Sequence, residues 1–132
     1  IELGAKRRFE KHPGPSFAGK IMDLISSDIR LANLDVLARE TGTGCFCLES
    51  VPFAIAIFLR NSDVFEAGLW EAITCGGDTD TNASMVGAMI GANVGIENIP
   101  PAWIKQVPAC QEAMDLATQL YKKVTEGEEA KK

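Results

Sequence analysis

The sequence holds a single histidine, a single tyrosine and no C-x-x-C pair among its four cysteines. His12 lies far along the chain from Cys45, Cys47, Cys75 and Cys110, so a nitrogen–sulfur zinc site is not expected. There is no Gly-x-Ser-x-Gly elbow, and a lone histidine between polar, Pro/Gly-flanked residues is a poor triad base. A G-x-x-x-x-G-K-[ST] phosphate loop is missing too. No apolar stretch reaches the roughly 18 residues of a membrane span, and no secretory leader is expected from the opening residues. Positive charge is in deficit: 13 Lys and Arg against 18 Asp and Glu leave a net charge of −5. That balance argues against nucleic acid or an anionic membrane as partner, since both require a basic surface. The one basic cluster (Lys6, Arg7, Arg8, Lys11) is mixed with Glu2 and Glu10 and reads as a solvated segment.

What is present fits one globular domain. The 132 residues are 46% hydrophobic and 23% charged, and a chain of this size buries about two-thirds of its unfolded surface without a metal or disulfide staple. Cys45 and Cys47 flank Phe46 in an apolar run and Cys75 ends another. They read as reduced, buried thiols, which implies a cytoplasmic setting.

Helical periodicity runs through nearly the whole chain, so the expected fold class is all-α. Ser16 to Ser27 carries Phe17, Ile21, Leu24 and Ile25 on one face. Asp28 is a candidate cap for a second helix that ends before Gly42. Thr41-Gly42-Thr43-Gly44 interrupts the pattern, and Cys45 to Leu59 then reads as a buried helix with Pro52 in its first turn. Asn61-Ser62-Asp63 is expected to cap Val64 to Thr74, which Gly76-Gly77 terminates. Asn82 to Gly95 is almost wholly small or apolar. Gly87, Gly91 and Gly95 fall four apart there, a pattern expected to let a neighbouring helix backbone approach closely. A short helix over Ala102 to Val107 and a last one from Pro108 to about Thr125 complete the reading, with a frayed tail from Glu126.

Asp78, Thr79, Asp80 and Thr81 form a dense group of hard oxygen donors between a Gly-Gly turn and a helix start. Two carboxylates and two hydroxyls suit Mg²⁺ or Ca²⁺, while the same residues at a helix start equally suit capping. An EF-hand loop counted from Asp78 fails, because its sixth and twelfth positions are Ala83 and Met89. The turn Gly42-Thr43-Gly44 leading into Cys45 is the second candidate. Its backbone N–H groups could meet a phosphate or diphosphate, or the turn could simply connect two helices. Glu49, one turn further on, is either a supporting acid or a first-turn residue favoured by the helix dipole.

Gly76-Gly77-Asp78-Thr79-Asp80-Thr81, with Ala83-Ser84-Met85-Val86-Gly87-Ala88 behind it, resembles the C-terminal signature of the ADP-ribosylglycohydrolase family. Gly42-x-Gly44, Glu49-Ser50-Val51-Pro52-x-Ala54, Phe58-Leu59-Arg60 and Ile99-Pro100-x-x-Trp103 resemble it again, most closely the subgroup that acts on ADP-ribosylserine and poly(ADP-ribose). The resemblance implies a compact, orthogonal all-α domain with a two-Mg²⁺ centre at the base of an ADP-ribose cleft. It makes Asp78, Asp80 and Thr81 metal ligands and places Gly42, Thr43, Gly44 and Cys45 against substrate. Asn82 departs from the family pattern, which favours an apolar residue or Thr there. The family's further ligands, a Thr-Asp-Asp type motif and an early acid, belong to an N-terminal half; no adjacent Asp pair occurs in this sequence. The chain, opening at Ile1, is therefore expected to be the C-terminal portion of such a hydrolase, with the catalytic acid or base outside it. An inactive ADP-ribose-binding module or a partner-requiring subunit is the alternative. The partners implied are ADP-ribose or an ADP-ribosylated protein, together with the missing half or a second copy through an uncovered face.

Overall fold

The computed structural model describes residues 16–26 and 32–129. These contain seven α-helices and one 3₁₀ turn, and no strand occurs among them, so the all-α expectation holds. The helices are α1 Phe17–Ser26, α2 Leu34–Thr41, α3 Cys47–Arg60, α4 Phe65–Thr74, α5 Thr79–Val94, α6 Pro101–Gln106 and α7 Cys110–Glu129, with the 3₁₀ turn at Ile96–Asn98. Two compact units divide the chain: α1 to α5 lie in the unit that ends at Asn98, and α6 and α7 in the unit that begins at Ile99.

The core of the first unit forms where α5 packs on α3 and α4. Phe53, Ala54, Ala56 and Ile57 of α3, Ala72 of α4, and Val86 and Ile90 of α5 are almost fully enclosed, and Leu37 of α2 closes one side. Burial of side chains the size of Phe53, Ile57 and Ile90 stabilises by about 1.5–3 kcal/mol each. The tighter helix contact falls at Gly68 and not at Gly87 of the expected ridge. A Cβ at Gly68 of α4 would overlap Ile90 Cδ1, whereas one at Gly87 would only touch Leu69 at 3.4 Å, and Gly95 lies outside α5 as its C-cap.

Pro52 departs from expectation instructively. It is the sixth residue of α3 and so sits in the second turn. A proline there removes the N–H that would bond the Leu48 carbonyl. The Lys20 ammonium of α1 donates to that carbonyl at 3.0 Å, which satisfies it and ties α1 to α3. The other end of α3 is fixed by Arg60, which donates through Nε to Glu71 at 2.9 Å and through its terminal nitrogens to Glu71 at 3.2 Å and the Ala32 carbonyl at 2.8 Å. Asn61 donates to the same Glu71 carboxylate at 2.7 Å rather than capping α4, whose N-cap is Val64 without a side-chain bond.

Asn33 caps α2 by accepting from the Asp35 and Val36 amides. The expected cap, Asp28, lies outside the described residues, as do His12 and the basic cluster. The segment from Glu126, expected to fray, continues α7 to Glu129.

Candidate functional site

Two separate stretches of sequence meet at one point in the first unit. The first is the connection between α2 and α3. Gly42 ends α2 with φ of 79°, a conformation that favours glycine, and its N–H donates to the Ala38 carbonyl. Glu49, in the first turn of α3, reaches back so that its carboxylate accepts the Gly44 N–H at 3.1 Å. Its side chain lies so close that a Cβ at Gly42 would come within 2.6 Å of it.

The second stretch is the turn between α4 and α5. Gly76 and Gly77 both hold positive φ, 71° and 74°. A Cβ at Gly77 would overlap the Thr43 carbonyl and hydroxyl, so glycine is what lets the two backbones touch. They are then joined at a single atom. The Thr43 carbonyl accepts the Asp78 N–H at 2.8 Å and the Asn82 Nδ2–H at 2.9 Å. The candidate loop Gly42 to Cys45 and the candidate acidic cluster Asp78 to Thr81 are thus neighbours in the fold.

Within the acidic cluster Asp78 stands at the N-cap of α5, yet its side chain makes no capping bond. Capping therefore does not occupy its carboxylate. Asp80 is exposed. A hydrogen bond with the Asp78 carboxyl, followed by the Thr81 and Asp80 backbone amides, holds its carboxyl below the ordinary aspartate range. Thr81 is exposed beside it. Donor chemistry at Asp78, Asp80 and Thr81 fits a hard divalent cation such as Mg²⁺. The set is partial, because among the described residues no group of three or more His, Cys, Asp and Glu side chains could hold a metal ion.

The Gly42 to Cys45 loop offers fewer free donors than its glycines suggest. The Gly42 and Gly44 amides are bonded internally. Three carboxylates, Glu49, Asp78 and Asp80, give the junction a negative character that disfavours a bare diphosphate. It suits hydroxyl donors or an anion neutralised by a cation. Cys45 and Cys47 are exposed and Cys75 is half-buried, which corrects the expectation of buried thiols. Apolar composition misled there, because Cys45 and Phe46 belong to the outward-facing connection and Cys47 to the exposed first position of α3, with Phe46 56% exposed. A cavity of about 410 Å³ near α1, α2 and α3 is lined by Lys20, Asp23, Glu40, Thr41 and Pro52 among others, and by none of Gly42 to Cys45 or Asp78 to Thr81.

Sequence reasoning missed the bond from Asn82 and left the part of Glu49 open. The signal for Asn82 was a polar residue at the start of an otherwise apolar helix; it is fully buried. For Glu49 it was an acid one helical turn beyond a Gly-x-Gly connection.

The sequence profile of the ADP-ribosylglycohydrolase family matches residues 5–130, and the chain belongs to that family. Among characterised relatives it is similar to ADP-ribosylhydrolase ARH3 of Mus musculus, at 33% identity over 131 residues, 92% of this chain and 34% of that protein. ADP-ribosylhydrolase ARH3 of Homo sapiens shows the same identity and coverage. A putative ADP-ribosyl glycohydrolase of Acanthamoeba polyphaga mimivirus is 40% identical over 75 residues, 54% of this chain and 21% of the viral protein. The chain spans about a third of the length of the ARH3 relatives it matches.

Proposed function

We propose that this chain supplies the cation-binding and sugar-contacting elements of a Mg²⁺-dependent hydrolase that removes ADP-ribose from modified proteins or related ADP-ribosides. In this reading it is the C-terminal portion of an ADP-ribosylglycohydrolase domain. The observation that carries the reading is the Thr43 carbonyl, which binds the Gly42 to Cys45 loop to the turn bearing Asp78, Asp80 and Thr81. Each motif alone has a bland explanation as a helix connection or a cap. Their convergence, with Asp78 free of capping duty, favours a shared site.

Asp78, Asp80 and Thr81 would hold the cation, which supplies polarisation of the ribose hydroxyls and a positioned water when bound. The chain's own residues orient the substrate. Glu49 braces the loop through the Gly44 amide, and the Gly42 to Cys45 backbone contacts the ribose and diphosphate. The bond broken is that between the anomeric carbon and the modified side chain, through an oxocarbenium-like transition state.

The partial donor set supports a second element of the reading. Mg²⁺ demands near-octahedral oxygen coordination, and Asp78, Asp80 and Thr81 provide part of it. The remaining ligands and the acid or base come from further polypeptide, so this chain alone turns over little. Calorimetric titration with ADP-ribose, with and without Mg²⁺, tests the site. Binding heat that grows with Mg²⁺, and loses that growth in Asp80→Asn, is expected. No heat in either condition would overturn the binding reading. Robust turnover of an ADP-ribosylated peptide by this chain would overturn the need for further polypeptide.

A further inference from the structure

Among the described residues of the first unit, Asn82 is the largest fully buried polar side chain. Its placement looks costly, since an amide taken out of water must find partners for both ends. One end has a partner: Nδ2 donates across 39 residues of sequence to the Thr43 carbonyl. The other end, Oδ1, is buried with no hydrogen-bond partner. A side chain used only to fill space would be better apolar. The backbone bond from Asp78 to the same carbonyl already brings the two segments together. What Asn82 adds is a second attachment, from a position one helical turn inside α5. The Thr43 carbonyl is thereby gripped both by the turn that carries Asp78 and by the rigid helix behind it.

We infer that Asn82 is a positioning residue that makes the Gly42 to Cys45 loop and the Asp78 to Thr81 turn one mechanical unit, so that a cation ordering the turn is felt at the loop. The inference rests on the reading above for which ligands matter. The linkage itself stands on the hydrogen bonds. With the amide in place, a shift of the α5 N-terminus moves Thr43, and Gly44 with it as the next residue of the chain. Without it, the Asp78 N–H is the single hydrogen bond remaining at that carbonyl, and the loop can pivot about it. Thermodynamic linkage makes the effect reciprocal: a sugar or phosphate group that orders the loop raises the affinity of the turn for a cation by the same factor.

The test uses the full chain and follows backbone amides by NMR. Asn82→Ala removes the amide and leaves space, and Asn82→Val removes it while keeping the site filled, so two variants probe the same bond with opposite packing risks. Hydrogen exchange needs no ligand. The Asp78 and Gly44 amides are expected to exchange about five- to tenfold faster in both variants, the effect of losing one buried hydrogen bond of ordinary strength. Amides of Phe53 to Ile57 in the core should be unchanged. Mg²⁺ titration then gives the readout that a purely structural role would not move. In the parent chain, Mg²⁺ should shift the amides of Asp78 to Thr81 and also those of Gly42 to Cys45. In the variants it should shift the first set alone.

Unchanged exchange at Asp78 and Gly44 would overturn the linkage. So would a Mg²⁺ response of the loop that persists in the variants or is missing from the parent chain while the turn responds. A turn that fails to respond in the parent chain would overturn the cation reading instead and remove the functional consequence, leaving the exchange result to judge the bond.

Discussion

Replacing Gly77 with alanine should destabilise the chain by about 3 kcal/mol, and the same change at Gly76 by only about 1 kcal/mol. Both glycines hold positive φ, 71° at Gly76 and 74° at Gly77. An L side chain in that region costs about 1–2 kcal/mol. The smaller freedom of alanine in the unfolded chain returns about 0.4–1 kcal/mol of this. The net conformational cost is therefore about 1 kcal/mol at either position. At Gly76 nothing lies within 4 Å of the new Cβ, so that figure stands alone. At Gly77 the new Cβ would overlap the Thr43 carbonyl and hydroxyl and sit 2.8 Å from the carbonyl carbon. The obstacle is backbone and cannot rotate away. The loop must retreat, which breaks the two hydrogen bonds that converge on the Thr43 oxygen. At about 1 kcal/mol each, their loss brings the total to about 3 kcal/mol. Urea unfolding followed by circular dichroism reads the difference as a lower midpoint at unchanged slope. Equal losses in the two variants would refute the reasoning, because they would show that Gly77 serves only as a bend.

Further outcomes follow from particular contacts. Burial opposes ionisation of Glu71, but hydrogen bonds from Arg60 and Asn61 and the guanidinium charge more than offset it and hold the carboxyl below its usual range. Because the folded value lies below the unfolded one of about 4.3, this contribution is present above that pH and lost as pH falls through the folded value. Glu71→Gln should therefore flatten the acid limb of a stability–pH curve, and an unchanged limb would count against the cluster. Lys20→Met should cost about 1–2 kcal/mol in urea unfolding, since it leaves the Leu48 carbonyl without the donor that replaces Pro52. Burial, and then the charges of Glu71 and Asp35, push the Cys75 thiol above its usual value, while Cys45 and Cys47 are exposed. Iodoacetamide at pH 8 should label Cys45 and Cys47 first, with Cys75 trailing, as mass spectrometry would show. Asp78→Asn and Asp80→Asn should each abolish any Mg²⁺-dependent rise in melting temperature, and a rise that survives both would make the cluster a simple helix start.

Local chemistry explains what the sequence made legible. Apolar spacing of 3.6 residues marked the helices, glycine pairs marked their ends, and Asp78-Thr79-Asp80-Thr81 stood out because it gathers two carboxylates and two hydroxyls between a Gly-Gly turn and a helix start. The features that stayed hidden depend on tertiary partners. Pro52 sits in the second turn of α3 because Lys20, 32 residues earlier, satisfies the carbonyl it orphans. Asn61 has the chemistry of a cap for the helix after it, yet the Glu71 carboxylate recruits it. Gly68 rather than Gly87 takes the tighter helix contact, because what matters is which side chain, here Ile90, comes to rest on it. The candidate site shows the same division. Each half could be read from its own residues, but their meeting is made by a carbonyl, an atom every residue carries.

The central claim, that the loop and the turn form one cation-dependent site, is tested most directly by replacing Mg²⁺ with paramagnetic Mn²⁺, another hard cation. Its proximity broadens amide signals. The account predicts selective broadening of Asp78 to Thr81 and of Gly42 to Cys45 together, with both lost in Asp80→Asn. Broadening of the turn without the loop, or of neither, would contradict it.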